Sequence, residues 1–64
     1  MDMKALRSAM AAAGYFTLKA AGEAIGIPLT SFSRKLKKGS FTLPELQDMK
    51  KAYNIVDMDA IFFN

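Results

Sequence analysis

The side chains able to do chemistry in this 64-residue chain are chiefly hydroxyls, carboxylates, lysines and arginines, because it contains no histidine and no cysteine. A nucleophile would therefore be a serine or threonine activated by a lysine or a carboxylate. A disulfide, or a zinc site built on Cys and His, is excluded. Asp57 and Asp59 fall where a short helix begins, and Glu45 and Asp48 fall on a solvated helix face. These positions are ordinary for carboxylates, so we expect no enzymatic activity, no metal and no cofactor.

Positive charge is concentrated in one part of the chain. The net charge is +3, and residues 17–40 hold five cations and one carboxylate, whereas residues 41–64 hold two cations and four carboxylates. A one-sided cationic surface is typical of a protein that binds a polyanion, although solvated lysines are the ordinary alternative. The cations of the basic segment are Lys19, Arg34, Lys35, Lys37 and Lys38.

Apolar residues recur at three- and four-residue spacings along most of the chain, which is the period of amphipathic helices. No alternating strand pattern interrupts them. The sequence therefore predicts an all-α orthogonal bundle in a single domain, 1–64. The predicted helices span residues 3–13, 18–25, 29–37, 43–53 and 58–62.

Capping residues support these boundaries. Asp2, Thr17 and Asp57 each stand just before a predicted helix, where a short polar side chain can bond a free backbone amide. Thr42 with Glu45 three residues later forms a capping box. Between the first two helices lies a link of two aromatic residues, Tyr15 and Phe16, both expected in the core or at its edge.

The second and third predicted helices form a pair around a glycine turn, over residues 17–38. Gly22 inside a helix costs about 1 kcal/mol relative to alanine, so its presence indicates close passage of the next helix. Gly26 makes the turn, and Phe32 and Leu36 form the buried edge of the following helix. This is the pattern of a helix-turn-helix, in which the second helix enters the major groove of DNA.

The outer face of that second helix carries side chains that can read base edges. Arg34 can donate two hydrogen bonds to guanine, a contact worth about 1–3 kcal/mol of discrimination. Thr30 and Ser33 can bond bases or phosphates, and Leu29 can contact a thymine methyl group. A solvated helix end, favoured by the helix dipole, is the alternative for these polar groups. Phosphate contacts are expected from Thr17, Lys19, Lys35, Lys37, Lys38 and Ser40.

Over its whole length the chain resembles the helix-turn-helix of phage Cro and repressor proteins, the Cro/xenobiotic-response-element type. The similarity rests on residues 17–27, on the run S-F-S-R-K-L-K-K-G and on F-T-L-P-E-L. The closing D-A-I-F-F is similar to small phage regulators of Gram-positive bacteria within that family. The resemblance implies a five-helix, lambda-repressor-like domain that binds a specific operator, usually as a dimer on a palindromic site.

The chain departs from this family at two positions. The family often has glutamine just after the cap of the second helix, where it helps to clamp a phosphate, and this chain has Leu18. A small polar residue often caps the recognition helix, and this chain has Pro28. Neither departure affects the expected fold.

The sequence therefore predicts a phage-encoded, Cro-like transcriptional regulator that binds double-stranded DNA in the cytoplasm of a bacterial host. The charged start, M-D-M-K-A-L-R, is unlike a signal peptide, and no apolar run approaches the roughly 20 residues that span a bilayer. Homodimerisation is expected through Ile61, Phe62 and Phe63. The alternative function is a protein-binding module, antitoxin-like or inhibitory, using Leu29, Phe41 and Phe63.

Overall fold

The computed structural model describes residues 1–63, and none of them lies in a strand. This confirms the predicted all-α bundle, with helix boundaries within two residues of those expected. None of the helices described is long and apolar enough to cross a membrane. The five helices are α1 Met3–Ala12, α2 Leu18–Glu23, α3 Leu29–Lys38, α4 Leu43–Ala52 and α5 Met58–Phe62.

Local side-chain caps fix where four of the helices begin. The side chains of Asp2, Thr17 and Asp57 each accept a hydrogen bond from the backbone amide three residues further on, at 3.0, 3.1 and 3.2 Å. At α4 the Thr42 hydroxyl accepts from the Glu45 amide at 3.3 Å, and the Glu45 carboxylate accepts from the Thr42 amide at 2.8 Å. All four predicted caps are confirmed. They bond amides that would otherwise have no partner within the helix.

Helix α2 ends two residues earlier than predicted. The Ile25 amide donates to the Gly22 carbonyl at 3.1 Å, three residues back, so the chain tightens before Gly26. Gly26 then adopts a positive φ of 74°, which an L side chain rarely tolerates. The Ile27 amide also donates to the Gly22 carbonyl, at 2.9 Å, and the chain turns directly into α3.

One core joins all five helices. Phe32 of α3 and Leu6 of α1 are fully buried, and Tyr53 at the end of α4 is 2 % exposed. A domain of this size buries only about 60 % of its unfolded surface, so each of these side chains matters to stability. The buried apolar residues are Leu6, Met10, Ala21, Ile27, Phe32, Leu36, Met49, Tyr53, Ile55 and Ile61.

The expectation for the aromatic link between α1 and α2 is half wrong. Tyr15 packs edge-to-face on Tyr53 with ring centroids 5.7 Å apart, as a core-edge residue should. Phe16 is 81 % exposed. The two residues lie in the irregular link between α1 and α2. The Tyr15 amide donates to the Met10 carbonyl of α1 at 2.8 Å, which holds Tyr15 against the core, whereas Phe16 makes no such backbone bond within residues 1–63.

Candidate nucleic-acid interface

The interface begins with the close packing of α2 on α3. A Cβ atom added at Gly22 would lie 2.7 Å from the Ile27 carbonyl oxygen and 3.1 Å from the Phe32 ring. Neither the backbone atom nor the fully buried ring can move aside cheaply. The predicted steric requirement at Gly22 is therefore confirmed, and it fixes the distance between the two helices.

A buried hydrogen bond holds α2 from the other side. The Tyr53 hydroxyl donates to the Ala21 carbonyl at 2.5 Å. That carbonyl lies where α2 ends, and the Ile25 amide, its normal helical partner, bonds Gly22 instead. Burial raises the pKa of Tyr53 to about 12, helped by the neighbouring Tyr15. The periodicity of α4 placed Tyr53 in the core but could not identify this acceptor, 32 residues away.

Helix α3 presents its predicted base-contacting residues on the outside. Thr30 and Arg34 are exposed, Leu29 is 44 % exposed, and Ser33 is half-buried. Pro28 stands at the N-cap in extended conformation and supplies no side-chain hydrogen bond to the first turn. The helix itself contains no carboxylate. Its outer face is thus a row of hydroxyls and one guanidinium, flanked by lysines.

The predicted phosphate contacts divide into two groups. Lys35 is half-buried and forms an ion pair with Glu45 of α4, which is itself half-buried. No other ion pair occurs among residues 1–63. The remaining predicted residues are exposed: Thr17, Lys19, Lys37, Lys38 and Ser40. Lys35 therefore differs from the rest, since its ammonium already has a partner within the fold.

Glu45 does not lie on a solvated face, contrary to expectation. Its carboxylate accepts from the Lys35 ammonium and from the Thr42 amide. These two donors, Lys35 first, hold the pKa of Glu45 below its usual value. One carboxylate thus completes the cap of α4 and attaches α4 to the middle of α3. Sequence reasoning found the cap, which is local, and missed the ion pair, which joins two helices.

The residues predicted for dimerisation have different environments. Ile61 is 7 % exposed, and its carbonyl accepts from the Asp2 amide at 2.7 Å, so it ties α5 to the start of α1. Phe62 is half-buried, and its ring packs edge-to-face on Phe41 with centroids 6.2 Å apart. Phe63 is 71 % exposed. Of the three, Phe63 has the largest free surface.

Three other carboxylates lie where helices begin. Asp2 and Asp57 bond helix-start amides, and Asp59 lies in the first turn of α5. Within residues 1–63 there is no group of three or more Asp or Glu residues placed to hold a metal ion.

No family model, no curated protein and no solved structure matches the chain. The resemblance to phage Cro and repressor proteins thus rests on the motif alone and stays a prediction.

Proposed function

We propose that the protein is a sequence-specific DNA-binding transcriptional regulator whose helix α3 enters the major groove. The observation that carries this proposal is the outer face of α3, where the exposed Thr30 and Arg34 and the half-buried Ser33 stand among lysines, without a carboxylate on the same helix. Helix α3 packs closely on α2, because at Gly22 the two helices are too near each other to admit even a Cβ atom. A rigid helix that presents donors is what reading base edges requires.

Base recognition is assigned to the first two turns of α3. Arg34 donates in a fork to the O6 and N7 of guanine, and Thr30 and Ser33 bond neighbouring bases or phosphates. Leu29, at the start of the helix, supplies an apolar contact to a thymine methyl group. These four side chains lie within six residues, so they address a short segment of one groove.

The surrounding cations hold the phosphate backbone. Lys37 and Lys38 at the end of α3, and Lys19 on α2, are exposed and have no ion-pair partner within residues 1–63. Thr17 and Ser40 add hydroxyls at the edges of the pair. Such contacts set orientation and affinity and carry no sequence information directly. Lys35 would reach a phosphate only by sharing or leaving Glu45.

The regulator acts, in this proposal, by occupying an operator and blocking or contacting the transcription machinery. Its place of action is the cytoplasm of a bacterial host, where a phage-encoded, Cro-like protein would meet DNA. No catalytic step is involved. The resemblance in residues 17–46 supports this assignment.

We further propose that two copies bind a palindromic operator. Phe63 is 71 % exposed and lines a groove together with Met1, Lys38, Gly39, Phe41, Leu46 and Phe62. Around a two-fold axis, the Phe63 of each copy can enter the groove of the other, which gives a self-complementary contact. Sedimentation velocity measures this directly. A strict monomer at high concentration, both with and without duplex DNA, removes the dimer.

The salt dependence of binding tests the main proposal. Binding to a labelled mixed-sequence duplex is measured by fluorescence anisotropy from 50 to 200 mM salt. The logarithm of the binding constant should fall linearly with the logarithm of the salt concentration, with a slope of about −0.9 for each phosphate contacted. Absence of binding to any duplex at the lowest salt, or affinity indifferent to salt, rejects the DNA assignment.

The alternative, a protein-binding module, is favoured by exposed apolar side chains. Phe16, Leu43 and Phe63 are each at least 70 % exposed, and Leu29 is partly so. Phe41, expected on this surface, packs between Phe32 and Phe62 and is half-buried, so it belongs to the core edge. A partner protein on such a surface would be held with little dependence on salt, which separates the two functions in the same titration.

A further inference from the structure

We infer that Arg7, on helix α1, binds a backbone phosphate of the DNA together with Ser33 and Lys37 of α3. This inference rests on the proposed function and extends the interface to a helix that the helix-turn-helix pattern does not include. Arg7 is exposed and forms no ion pair within residues 1–63. Its role would be to fix the protein on the duplex, since phosphate contacts orient and base contacts specify.

The first observation is a cleft of about 220 Å³ where α1, α2 and α3 meet. Its floor is apolar, and its polar groups come from α1 and α3. A phosphodiester oxygen entering this cleft would meet two cations and a hydroxyl. The cleft is lined by Met3, Arg7, Leu18, Ser33, Leu36 and Lys37.

The second observation is that Arg7 also lines the neighbouring cleft, which runs to the start of α2. Thr17 and Leu18 also line that cleft. Arg7 therefore shares one cleft with Ser33 and Lys37 of α3 and the other with the first residues of α2. The Leu18 side chain offers neither a charge nor a hydrogen-bond donor at this edge, and Arg7 is the one arginine among the lining residues of the two clefts.

The third observation concerns charge. No carboxylate lines either cleft, so nothing there neutralises Arg7 or Lys37. Two cations facing one depression repel each other and attract an anion that can bridge them. A guanidinium presents a planar fork of donors that matches phosphate oxygens in pairs, whereas an ammonium acts as a point charge. The pair is suited to a phosphodiester.

The position of the cleft on α3 identifies the phosphate as one of the DNA backbone. Ser33 and Lys37 are four residues apart and so share a helix face. Thr30 and Arg34 lie on the adjoining turns of the same outer side. When Thr30 and Arg34 reach base edges, the Ser33 and Lys37 flank meets the rim of the groove, where the phosphates run.

The test compares Arg7→Ala, Arg7→Lys and the matched control Lys50→Ala by fluorescence anisotropy across salt, on a duplex that the wild-type protein selects from a random pool and on a scrambled version of it. Lys50 is an exposed cation on α4, and neither cleft includes it. Arg7→Ala should lower the affinity for both duplexes about tenfold. It should also reduce the magnitude of the slope of log binding constant against log salt concentration by about 1. Arg7→Lys should keep the slope, and Lys50→Ala should match the wild-type protein. Unchanged thermal melting of Arg7→Ala shows that the fold is intact.

The possible failures are distinguishable. If the wild-type protein binds DNA with a steep salt slope and Arg7→Ala keeps that slope, the phosphate role of Arg7 is wrong while the DNA-binding function stands. If Arg7→Ala weakens only one sequence, Arg7 contacts a base and the backbone role is again wrong. If the wild-type protein binds no duplex at any salt, the inference and the proposed function both fall.

Discussion

At the scale of single residues, Arg34 and Lys38 separate the two kinds of DNA contact. Both are exposed on α3, and they lie four residues apart. Arg34→Ala should cost about 1–3 kcal/mol on its preferred duplex and relax the preference at one base pair. Lys38→Ala should weaken binding to all duplexes about equally and lower the salt slope by about 1. Anisotropy on a panel of single-base-pair variants measures both. Binding unchanged by either substitution would mean that DNA meets another face.

The hydroxyl of Tyr53 contributes to the stability of the fold. Tyr53→Phe removes the donor to the Ala21 carbonyl and leaves that buried oxygen unbonded, which costs about 1–3 kcal/mol of unfolding free energy at neutral pH. Urea denaturation measures the loss. Tyr15→Phe is the matched control, because Tyr15 packs on the same ring and makes no described side-chain hydrogen bond. A Tyr53→Phe protein as stable as the wild type would show that the hydroxyl bond contributes nothing.

The same tyrosine gives the pH dependence. Its pKa is raised from 10.0 to about 12, so the folded state resists ionisation of the phenol more than the unfolded state does. This stability is fully present below pH 10 and is lost as the pH rises through 12. Tyr53→Phe cannot ionise at this position. Its unfolding free energy should therefore fall less between pH 9 and pH 11.5 than that of the wild-type protein.

At the scale of helices, the contact of α2 with α3 depends on one missing side chain. Gly22→Ala gains roughly 1 kcal/mol of helix propensity but places a Cβ atom 2.7 Å from the Ile27 carbonyl oxygen. The two helices must separate, so we expect a net destabilisation of about 1–3 kcal/mol and a larger loss for Gly22→Ser. Thermal denaturation of the pair measures the effect. An alanine variant more stable than the wild type would show that propensity outweighs packing here.

Helix-scale features were predictable where their causes are local. The caps at Asp2, Thr17 and Asp57 involve residues three apart, so the chain order alone identifies them. The buried edge of α3 follows from the four-residue spacing of Phe32 and Leu36. The close approach of the two helices at Gly22 was also predictable, because glycine destabilises a helix interior and its presence there indicates a steric requirement.

Features that join distant residues were not predictable in the same way. Lys35 and Glu45 lie on different helices, and their pairing depends on how α4 docks against α3. The Tyr53 bond spans 32 residues and depends on where α2 stops. The candidate site shows the same division. Periodicity placed Arg34 outside on α3, whereas the neighbourhood of Arg7 and Lys37 appears only when α1 is packed in place.

At the scale of the whole molecule, size bears on the proposed dimer. The domain measures 25 × 24 × 20 Å, so two copies in contact have centres about 25 Å apart. Half-sites one helical turn apart lie about 34–36 Å apart. Each α3 must then sit about 5 Å further from the two-fold axis than its domain's centre. A dimer formed through Phe63 fits such an operator only if α3 lies on the side of each domain that faces away from the two-fold axis, by about that distance.

Selection of bound duplexes from a random pool by the wild-type protein tests directly whether α3 recognises a DNA sequence. If α3 reads base edges, a short consensus should emerge, and a dimer should return it as an inverted repeat with half-sites about 10 base pairs apart. The same selection with the Arg34→Ala variant should return a consensus that no longer specifies one position, and we expect that position to be a guanine. A pool that stays random after repeated rounds, from a protein shown to be folded, would contradict sequence-specific DNA binding by this domain.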